Sequence, residues 1–547
     1  MVCPKYLQKF PLPSKRSAAS LYIQGGEAKI VMRVISSQQA ADLLEDGMTV
    51  AASGFGGCCH PEAITAAVEE RFLATGKPRK LTLLFAASTG DRQTRGMGHF
   101  GYEGLVARVI AGGWRGTPRL GRLAIEEKIE AHCWPQGVIA QLYRAIAAGQ
   151  PGVITHIGLG SFMDPLHGGG RMNATTPRAL VERVSLRGKE WLLYPSMPLD
   201  CVLLRGTTAD EDGNVTLEDE AFPLDVLAMA QAGRNSGGVV IVQVKRIAER
   251  GSLPPGDVRI PAALVDYVVV CENPAQHGVS FAETDNIAYT GRVRMAVSRL
   301  QPAPLSADKI IQRRAFLELA PLHRPTINLG IGIAAGIGRI ASEEGFDDYT
   351  VTIESGVIGG VPAEELSFGA AVNPTAIVPQ ASQFDFYDGG GLDIAFLGMA
   401  EVDRHGAVNV SRFNNSIVGV GGFTNISQTA GRVVYLGAFS AGGAEIAVAD
   451  GRLDIIRDGR VCKIVDHVDQ ISSSPAFAPE GQSQLVVTER AVFRVIDGCL
   501  TLTEFAPGID LAAHVLDRLP KGVAVSDQLK QMDARLFSTH AMKDFAP

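Results

Sequence analysis

Short apolar runs of strand length alternate with glycine-rich turns and helix-length segments along the chain. In the first part these runs are LTLLFAAS, GVITHIGLG, EWLLYP, CVLLRG and GGVVIVQV. Runs this apolar, separated by helix-length segments, are typical of parallel strands that helices cover on both faces. The pattern therefore predicts an α/β fold with mainly parallel strands.

A second series of the same kind follows residue 320. Its runs are TINLGIG, YTVTIESG, LDIAFLGMAEV, RVVYLGAF and GRVCKIVD. Between the series, RLQPAPLSADKIIQRRAFLEL contains two prolines and a serine before a new helical pattern, which marks a boundary near residue 304. We predict one domain over residues 33–303 and a second over 304–530, with an N-terminal extension at 1–32 and a C-terminal tail at 531–547.

The two series look like copies of each other. TVAASGFGGCCHPEAI at 49–64 parallels TINLGIGIAAGIGRIA at 326–341, and LLRGTTADEDGNVTL at 203–217 parallels FLGMAEVDRHGAVNV at 396–410. Two landmarks in the same order favour a duplicated domain, and chance likeness of glycine turns is the alternative. Because clefts between domains are preferred ligand sites, we expect two homologous α/β domains with a site between them.

Composition and charge exclude several classes of protein. With 547 residues, 46% hydrophobic and 20% charged, the chain has the composition of globular proteins with more than one core. Its net charge of -7 gives no general attraction to nucleic acid or anionic lipid. Its apolar runs are strand-length and fall short of the roughly 20 residues of a membrane-spanning helix. We therefore expect neither nucleic acid nor a membrane as a partner.

The cysteines and the N-terminal segment bear on location. Eight cysteines are scattered, and the adjacent pair Cys58 and Cys59 lacks the spacing of a redox or zinc site, so we expect reduced thiols in a cytoplasm. Residues 1–32 hold five Lys or Arg against one Glu, with several prolines. A transit peptide to an organellar matrix is one reading, but a disordered extension before a compact domain fits the prolines better.

Glycine loops supply candidate binding positions. A Gly-x-Gly turn that leaves a strand and opens a helix exposes N–H groups that suit phosphate, although tight turns without any ligand have the same pattern. The turns GFGGCC and GIGIAAG both miss the G-x-G-x-x-G spacing of dinucleotide sites. The loop GVGGFTN suits a phosphate or a transient oxyanion equally well. The candidate positions in these loops and in FYDGGGLD are Gly54, Gly56, Gly330, Gly332, Gly389, Gly390 and Gly419.

Glu354 raises a separate question, since it follows the strand-like run YTVTI and precedes Ser-Gly. It is a candidate nucleophile, general acid or base, metal ligand or structural cap. No His or Asp lies within several residues, which argues against a metal site, and a general base would need a partner for its proton. A glutamate presented at the end of a strand is well placed for nucleophilic attack.

Taken together, the motifs resemble one family. GFGGCCHPE, PQG, GLGSFMDPLHGGGRMN and RGTTADEDGNVTLEDEA occur in the first part, followed by NLGIGI, ESGVIGG, FDFYDGGGLD, GVGGF and APGIDL in the second. In this order, from about Met32 to near residue 520, they resemble the class I coenzyme A transferases. The similarity is to the fused acetate/propionate (short-chain acyl) type, in which α- and β-type halves share one chain.

The resemblance implies the chemistry. Glu354 would be the nucleophile that carries coenzyme A as a glutamyl thioester, GVGGF would supply oxyanion-binding amides at Gly421 and Gly422, and Gln136 would face the active site. Further substrate contacts would involve Val420 and Phe423. It implies open α/β/α domains like those of sugar-phosphate isomerases, coenzyme A as a substrate without a permanent cofactor or metal, and a homodimer or homotetramer. An acyl-CoA hydrolase on the same scaffold stays open as the alternative.

Overall fold

The computed structural model describes residues 33–296, 302–449 and 451–542, together with the backbone of two strands, Leu21–Gln24 and Glu27–Ile30. These two strands form an antiparallel hairpin. The rest of the predicted N-terminal extension, and the segment 297–301 that precedes the predicted boundary at 304, lie outside the described residues. Among the described helices, none has both the length and the apolarity needed to span a membrane.

The first half is built on an eight-stranded, wholly parallel sheet. In chain order its strands are β1 (Arg33–Val34), β2 (Thr49–Ala52), β3 (Leu81–Phe85), β4 (Val106–Ala111), β5 (Glu130–Cys133), β6 (Cys201–Arg205), β7 (Val239–Val244) and β8 (Tyr267–Val270). Across the sheet they run β1-β8-β7-β6-β2-β3-β4-β5. The helices of this half are α1 (Ser37–Asp42), α2 (Glu62–Thr75), α3 (Pro118–Ile125), α4 (Gln136–Ala147) and α5 (Val226–Asn235).

The second half has a ten-stranded sheet whose centre is parallel and whose edges are mixed. Its strands are β9 (Thr326–Leu329), β10 (Thr350–Thr352), β11 (Val357–Ile358), β12 (Ala376–Ile377), β13 (Ile394–Gly398), β14 (Arg432–Leu436), β15 (Ser483–Val487), β16 (Ala491–Ile496), β17 (Cys499–Phe505) and β18 (Ala524–Gln531). They run β12-β11-β10-β9-β13-β14-β15-β16-β17-β18. The helices are α6 (Ala307–Leu319), α7 (Gly336–Glu344), α8 (Gln380–Asp388), α9 (Phe423–Thr429) and α10 (Leu511–His514).

Small sheets decorate both halves. In the first half they are formed by Gly152–Thr155, Glu182–Leu186 and Lys189–Pro195, and by Thr208–Asp210, Val215–Thr216, Arg246–Ala248 and Val258–Ile260. In the second they are formed by Val361–Pro362, Ala371–Val372, Glu401–Asp403, Val408–Asn409, Arg412–Phe413, Ser416–Ile417, Ser440–Ala441, Glu445–Ala449, Arg452–Arg457, Val461–Cys462 and Ile464–Val465. Two runs that we expected in the parallel sheet, GVITHIGLG and EWLLYP, instead pair with each other in antiparallel register. Burial alternates along the second run, as is typical of an antiparallel strand with one covered face.

The predicted α/β class is confirmed, and the sheets support the duplication. The landmark strand β2 pairs with β6, and its counterpart β9 pairs with β13, so the matched segments are neighbours in both sheets. The Asp-to-Gly turns also match, because Asp210 and Asp403 each accept backbone N–H groups from the turn that follows.

Local signals mark where helices begin and end. Ser306 caps α6 by accepting the Lys309 N–H, so the helix begins at Ala307, shortly after the predicted domain boundary at 304. Within the segment 531–547 that we expected to be a tail, the described residues up to 542 pack against the fold. Leu536 and Phe537 are buried, and Arg313 of α6 donates to the Ser538 carbonyl at 2.5 Å. A buried guanidinium needs acceptors, and the carbonyls of Leu536, Ser538 and His540 provide them.

The halves share their hydrophobic interior. One contiguous cluster of buried apolar side chains includes Trp114 and Val138 of the first half and Phe384 and Phe423 of the second. Helix α4 packs on α8 across this boundary. Loops at the ends of both sheets line one cavity there.

Candidate active site

Glu354 lies in the turn that follows β10, where the chain reverses into β11. The Ile353 N–H donates to the Val357 carbonyl at 2.9 Å and closes the turn. Gly356 has a φ of +102°, and a Cβ there would lie 1.9 Å from the Val378 carbonyl oxygen, so only glycine fits. The Glu354 carboxylate is therefore presented at the carboxyl end of a parallel strand, where α/β sheets bind ligands.

The glutamate opens onto a cavity of about 740 Å³ lined by both halves. Gln136 and Phe55 line it from the first half, and Phe368 and Gly422 line it from the second. Clefts of this size between two domains are the usual location of small-molecule sites.

Burial controls the protonation of Glu354. Its side chain retains partial exposure to the cavity, yet desolvation raises the pKa of the carboxyl to about 7. A carboxylate stripped of water is a stronger nucleophile than a solvated one, because less hydration must be lost in the reaction.

The loop GVGGF joins the second half to the first through main-chain hydrogen bonds. The Gly421 N–H donates to the Gly112 carbonyl at 2.8 Å, and the Gln136 N–H donates to the Gly421 carbonyl at 2.9 Å. Gly419 is required for this contact, since a Cβ there would lie 2.6 Å from the Gly112 carbonyl oxygen. The Gly421 amide, one of two expected oxyanion donors, is thus already engaged.

Gly422 remains as the candidate donor. In the described part of the chain no acceptor contacts its N–H. The residue lies against the glutamate, because a Cβ built on Gly422 would be 3.0 Å from Glu354 Cγ, 3.1 Å from its Oε1 and 3.1 Å from the Phe384 ring. A side chain at 422 would therefore force Glu354 or Phe384 to shift by a few tenths of an ångström, and the Gly422 N–H lies beside the Glu354 carboxylate.

Gln136 brings a second donor from the first half. Its side chain is 3% exposed and lines the cavity, yet its Nε2 has no hydrogen-bond partner among the described residues. Its Oε1 lies 3.5 Å from the position that a Cβ on Gly421 would occupy. Leaving a buried amide unpaired costs about 1–3 kcal/mol, which a bound substrate oxygen would offset.

The other predicted positions divide into two groups. Those that line the cavity with Glu354 are Gly56, Gly330, Gly419, Val420 and Phe423. Those that do not line it are Gly54, Gly332, Gly389 and Gly390. Gly389 and Gly390 instead end α8, where their N–H groups donate to the Asp385 and Tyr387 carbonyls. A glycine after a helix is commonly a termination signal, and this function accounts for both residues.

The first glycine loop serves packing between the halves. A Cβ on Gly57 would lie 2.3 Å from the Leu366 carbonyl oxygen, and one on Gly56 would lie 3.0 Å from that of Phe368. The glycines let a loop of the second half approach their backbone, which explains their clustering without a phosphate. Cys58, Cys59 and His60, which follow these glycines, are buried and do not line the cavity.

Several charged groups of the cavity carried no recognisable sequence signal. Arg92 and Glu365, from different halves, form an ion pair of 3.4 Å. Both adopt the left-handed backbone conformation, which is unfavourable for residues other than glycine. Arg115, Arg460 and Lys463 also line the cavity. Burial lowers the pKa of Lys463, so this partly desolvated cation favours an anionic ligand. No group of His, Cys, Asp and Glu suited to a metal occurs within the ranges described.

Comparisons with known proteins agree with this architecture. The coenzyme A transferase family model matches residues 34–271. The chain is 43% identical over 513 residues to a caffeate CoA-transferase from Acetobacterium woodii, covering 92% of this chain and 97% of that protein. It is 40% identical over 512 residues to the acetate CoA-transferase YdiF of Escherichia coli K12, covering 93% and 96%.

A solved structure extends the likeness to three dimensions. It is a thioester complex with CoA of the acyl-CoA transferase YdiF from E. coli O157:H7, with a TM-score of 0.88, 39% identity, and coverage of 94% of this chain and 98% of that chain. Together with the interdomain site around Glu354, this similarity over nearly the whole length places the chain in the coenzyme A transferase family.

Proposed function

We propose that this protein transfers coenzyme A between short-chain carboxylic acids, with acetate and propionate as acceptors, through a glutamyl-CoA thioester on Glu354. The observation that carries the proposal is the set of groups around this carboxylate. Glu354 is desolvated, Gly422 offers an amide beside it, and Gln136 offers an unpaired donor from the opposite half.

The reaction follows from these groups. The Glu354 carboxylate attacks the acyl-CoA carbonyl carbon, and the C–S bond breaks to leave a mixed anhydride and the CoA thiolate. The thiolate then attacks the glutamyl carbonyl, which releases the first acid as a carboxylate and leaves the glutamyl-CoA thioester. An incoming carboxylate reverses both steps, so the kinetics are ping-pong.

The surroundings of Glu354 contribute in separate ways. Donors at Gly422 and Gln136 stabilise the oxyanion of each tetrahedral intermediate, and one such donor contributes about 3 kcal/mol in known enzymes. The largely apolar walls keep water from the anhydride and the thioester, which would otherwise hydrolyse. Arg460 and Lys463 supply positive charge for the phosphates of coenzyme A.

The two relatives described above differ in the acid for which they are named, caffeate in one and acetate in the other. We propose the short-chain preference because the motifs resemble those of the acetate/propionate type. In the same proposal the enzyme acts in the cytoplasm as a homodimer or homotetramer.

Intact-mass spectrometry tests the chemistry. Mixing the protein with acetyl-CoA alone should add the mass of CoA less water, propionate should remove the adduct as propionyl-CoA forms, and Glu354→Gln should form none. Steady CoA release without an acceptor would instead indicate a hydrolase. A panel of acetate, propionate and caffeate measures specificity, and faster turnover with caffeate would contradict the short-chain assignment.

A further inference from the structure

Three motifs that are distant in the sequence meet behind the catalytic cavity. Gly137, the last residue of PQG, is the second residue of α4 and follows Gln136. Asn425 lies just after GVGGF in α9, and Asp388 ends α8 before a glycine triplet. The two halves are connected at this point by side-chain hydrogen bonds as well as by packing.

Asn425 has both ends of its carboxamide occupied. Its Oδ1 accepts the Gly137 N–H at 3.2 Å, and its Nδ2 donates to Asp388 Oδ1 at 2.8 Å. The side chain is fully buried. The second carboxylate oxygen of Asp388 accepts from Gln141 Nε2 at 3.1 Å. Burial raises the pKa of Asp388 to about 7. Above that pH its carboxylate only accepts hydrogen bonds, so Asp388 fixes which end of Asn425 faces Gly137, and the variants below are compared at pH 8.5.

The absence of a side chain at 137 makes this contact possible. A Cβ on Gly137 would lie 2.6 Å from Asn425 Nδ2 and 2.4 Å from the Phe384 ring. Phe384 is also the ring that approaches Gly422. The Phe384 ring therefore lies against both Gly137, next to Gln136, and Gly422, next to Glu354.

We propose that Asn425 and Asp388 are positioning residues that hold Gln136 against the Gly421–Gly422 loop across the domain boundary. Gln136 makes one main-chain bond to this loop, from its N–H to the Gly421 carbonyl. The Asn425 bond to the next N–H supplies a second point of attachment, so the start of α4 cannot pivot about the first. The Gln136 carboxamide is thereby kept facing the reacting carbonyl. This inference rests on the proposed function.

A reciprocal exchange of the two side chains tests the inference. Asn425→Asp keeps an oxygen for the Gly137 N–H but sets two carboxyl groups against each other, so kcat should fall, by about a hundredfold if Gln136 moves by about 1 Å. Asp388→Asn alone should have a smaller effect. The double variant Asn425→Asp/Asp388→Asn restores the hydrogen bond with donor and acceptor exchanged, and it should recover most of the lost kcat.

The readouts separate positioning from a general effect on folding. We measure kcat, KM for acetyl-CoA, melting temperature and the single-turnover rate of adduct formation. The expected result is a loss in kcat and adduct rate at nearly unchanged KM. The matched control is Arg144→Gln, which removes the exposed Asp385–Arg144 ion pair between the same two helices and leaves the Gln141 hydrogen bonds to Asp385 and Asp388 in place, and it should retain wild-type kcat.

Two results would overturn the inference. One is wild-type kcat in Asn425→Asp with only a lower melting temperature, and the other is a double variant no faster than Asn425→Asp. If the wild-type protein itself forms no adduct and transfers no CoA, the proposed function has failed and the inference falls with it. The wild-type arm therefore distinguishes the two failures.

Discussion

Replacing Glu354 with Gln should stabilise the protein at alkaline pH. The carboxyl has a pKa raised by burial from 4.5 to about 7, so the folded state at pH 8.5 holds a charge that its surroundings disfavour. Because the folded pKa lies above the unfolded one, the stability present below pH 4.5 is lost as the pH rises through about 7. Glutamine keeps the shape of the side chain and carries no charge at any pH.

The size of this effect follows from the two pKa values. Each pH unit between them corresponds to about 1.36 kcal/mol, which gives a gain of about 3 kcal/mol at pH 8.5 and about 1 kcal/mol at pH 5.5. Both are upper bounds, since the Glu354 side chain retains partial exposure to the cavity. A gain near 3 kcal/mol corresponds to several degrees in melting temperature for a domain of about 250 residues.

Differential scanning calorimetry of the wild-type protein and Glu354→Gln at pH 5.5 and pH 8.5 measures the difference in melting temperature. The variant should melt higher, with the larger difference at pH 8.5, while transfer activity is lost. The control is Glu365→Gln, which removes an exposed cavity carboxylate paired with Arg92 and should change the melting temperature little. If Glu354→Gln melted lower than the wild type at pH 8.5, the carboxylate would be stabilised by its surroundings and our argument from burial would be wrong.

Four further predictions concern the site and its support. The kcat/KM for acetyl-CoA should rise with pH through about 7, because only ionised Glu354 attacks, and a pH–rate profile that is flat from 5.5 to 8.5 would contradict this. Gly422→Ala should lower kcat by about a hundredfold by displacing Glu354, whereas Gly256→Ala, built into open space, should be neutral in the same steady-state assay. Gln136→Met should lower kcat by about 10²-fold without lowering the melting temperature, since it removes an unpaired buried donor; a destabilised variant with normal kcat would refute this. Arg205→Met should cost about 3–5 kcal/mol in denaturant unfolding, because it removes the guanidinium paired with the buried Glu220 carboxylate and leaves that charge against His277, and a loss below about 1 kcal/mol would contradict that account.

Local sequence determined the α/β class, the helix start at Ser306 and the position of Glu354 in the turn that ends a strand. Each of these depends on residues close in the chain: an apolar run sets a buried strand, a serine caps the next helix, and glycine permits the turn after the glutamate. The duplication was also visible, because the matched segments form neighbouring strands in both sheets.

Tertiary structure alone decided what the glycines do and which side chains meet. GFGG and GVGGF look like ligand loops in sequence, but Gly57 and Gly419 admit backbone from the other half. Likewise, GVITHIGLG and EWLLYP have the apolar content of parallel strands but pair with each other. The reason is that a glycine permits unusual backbone angles and an apolar run favours burial, but neither determines which segment of the chain packs against it. Asn425 and Gly137, which are 288 positions apart, come together only through the packing of the two halves.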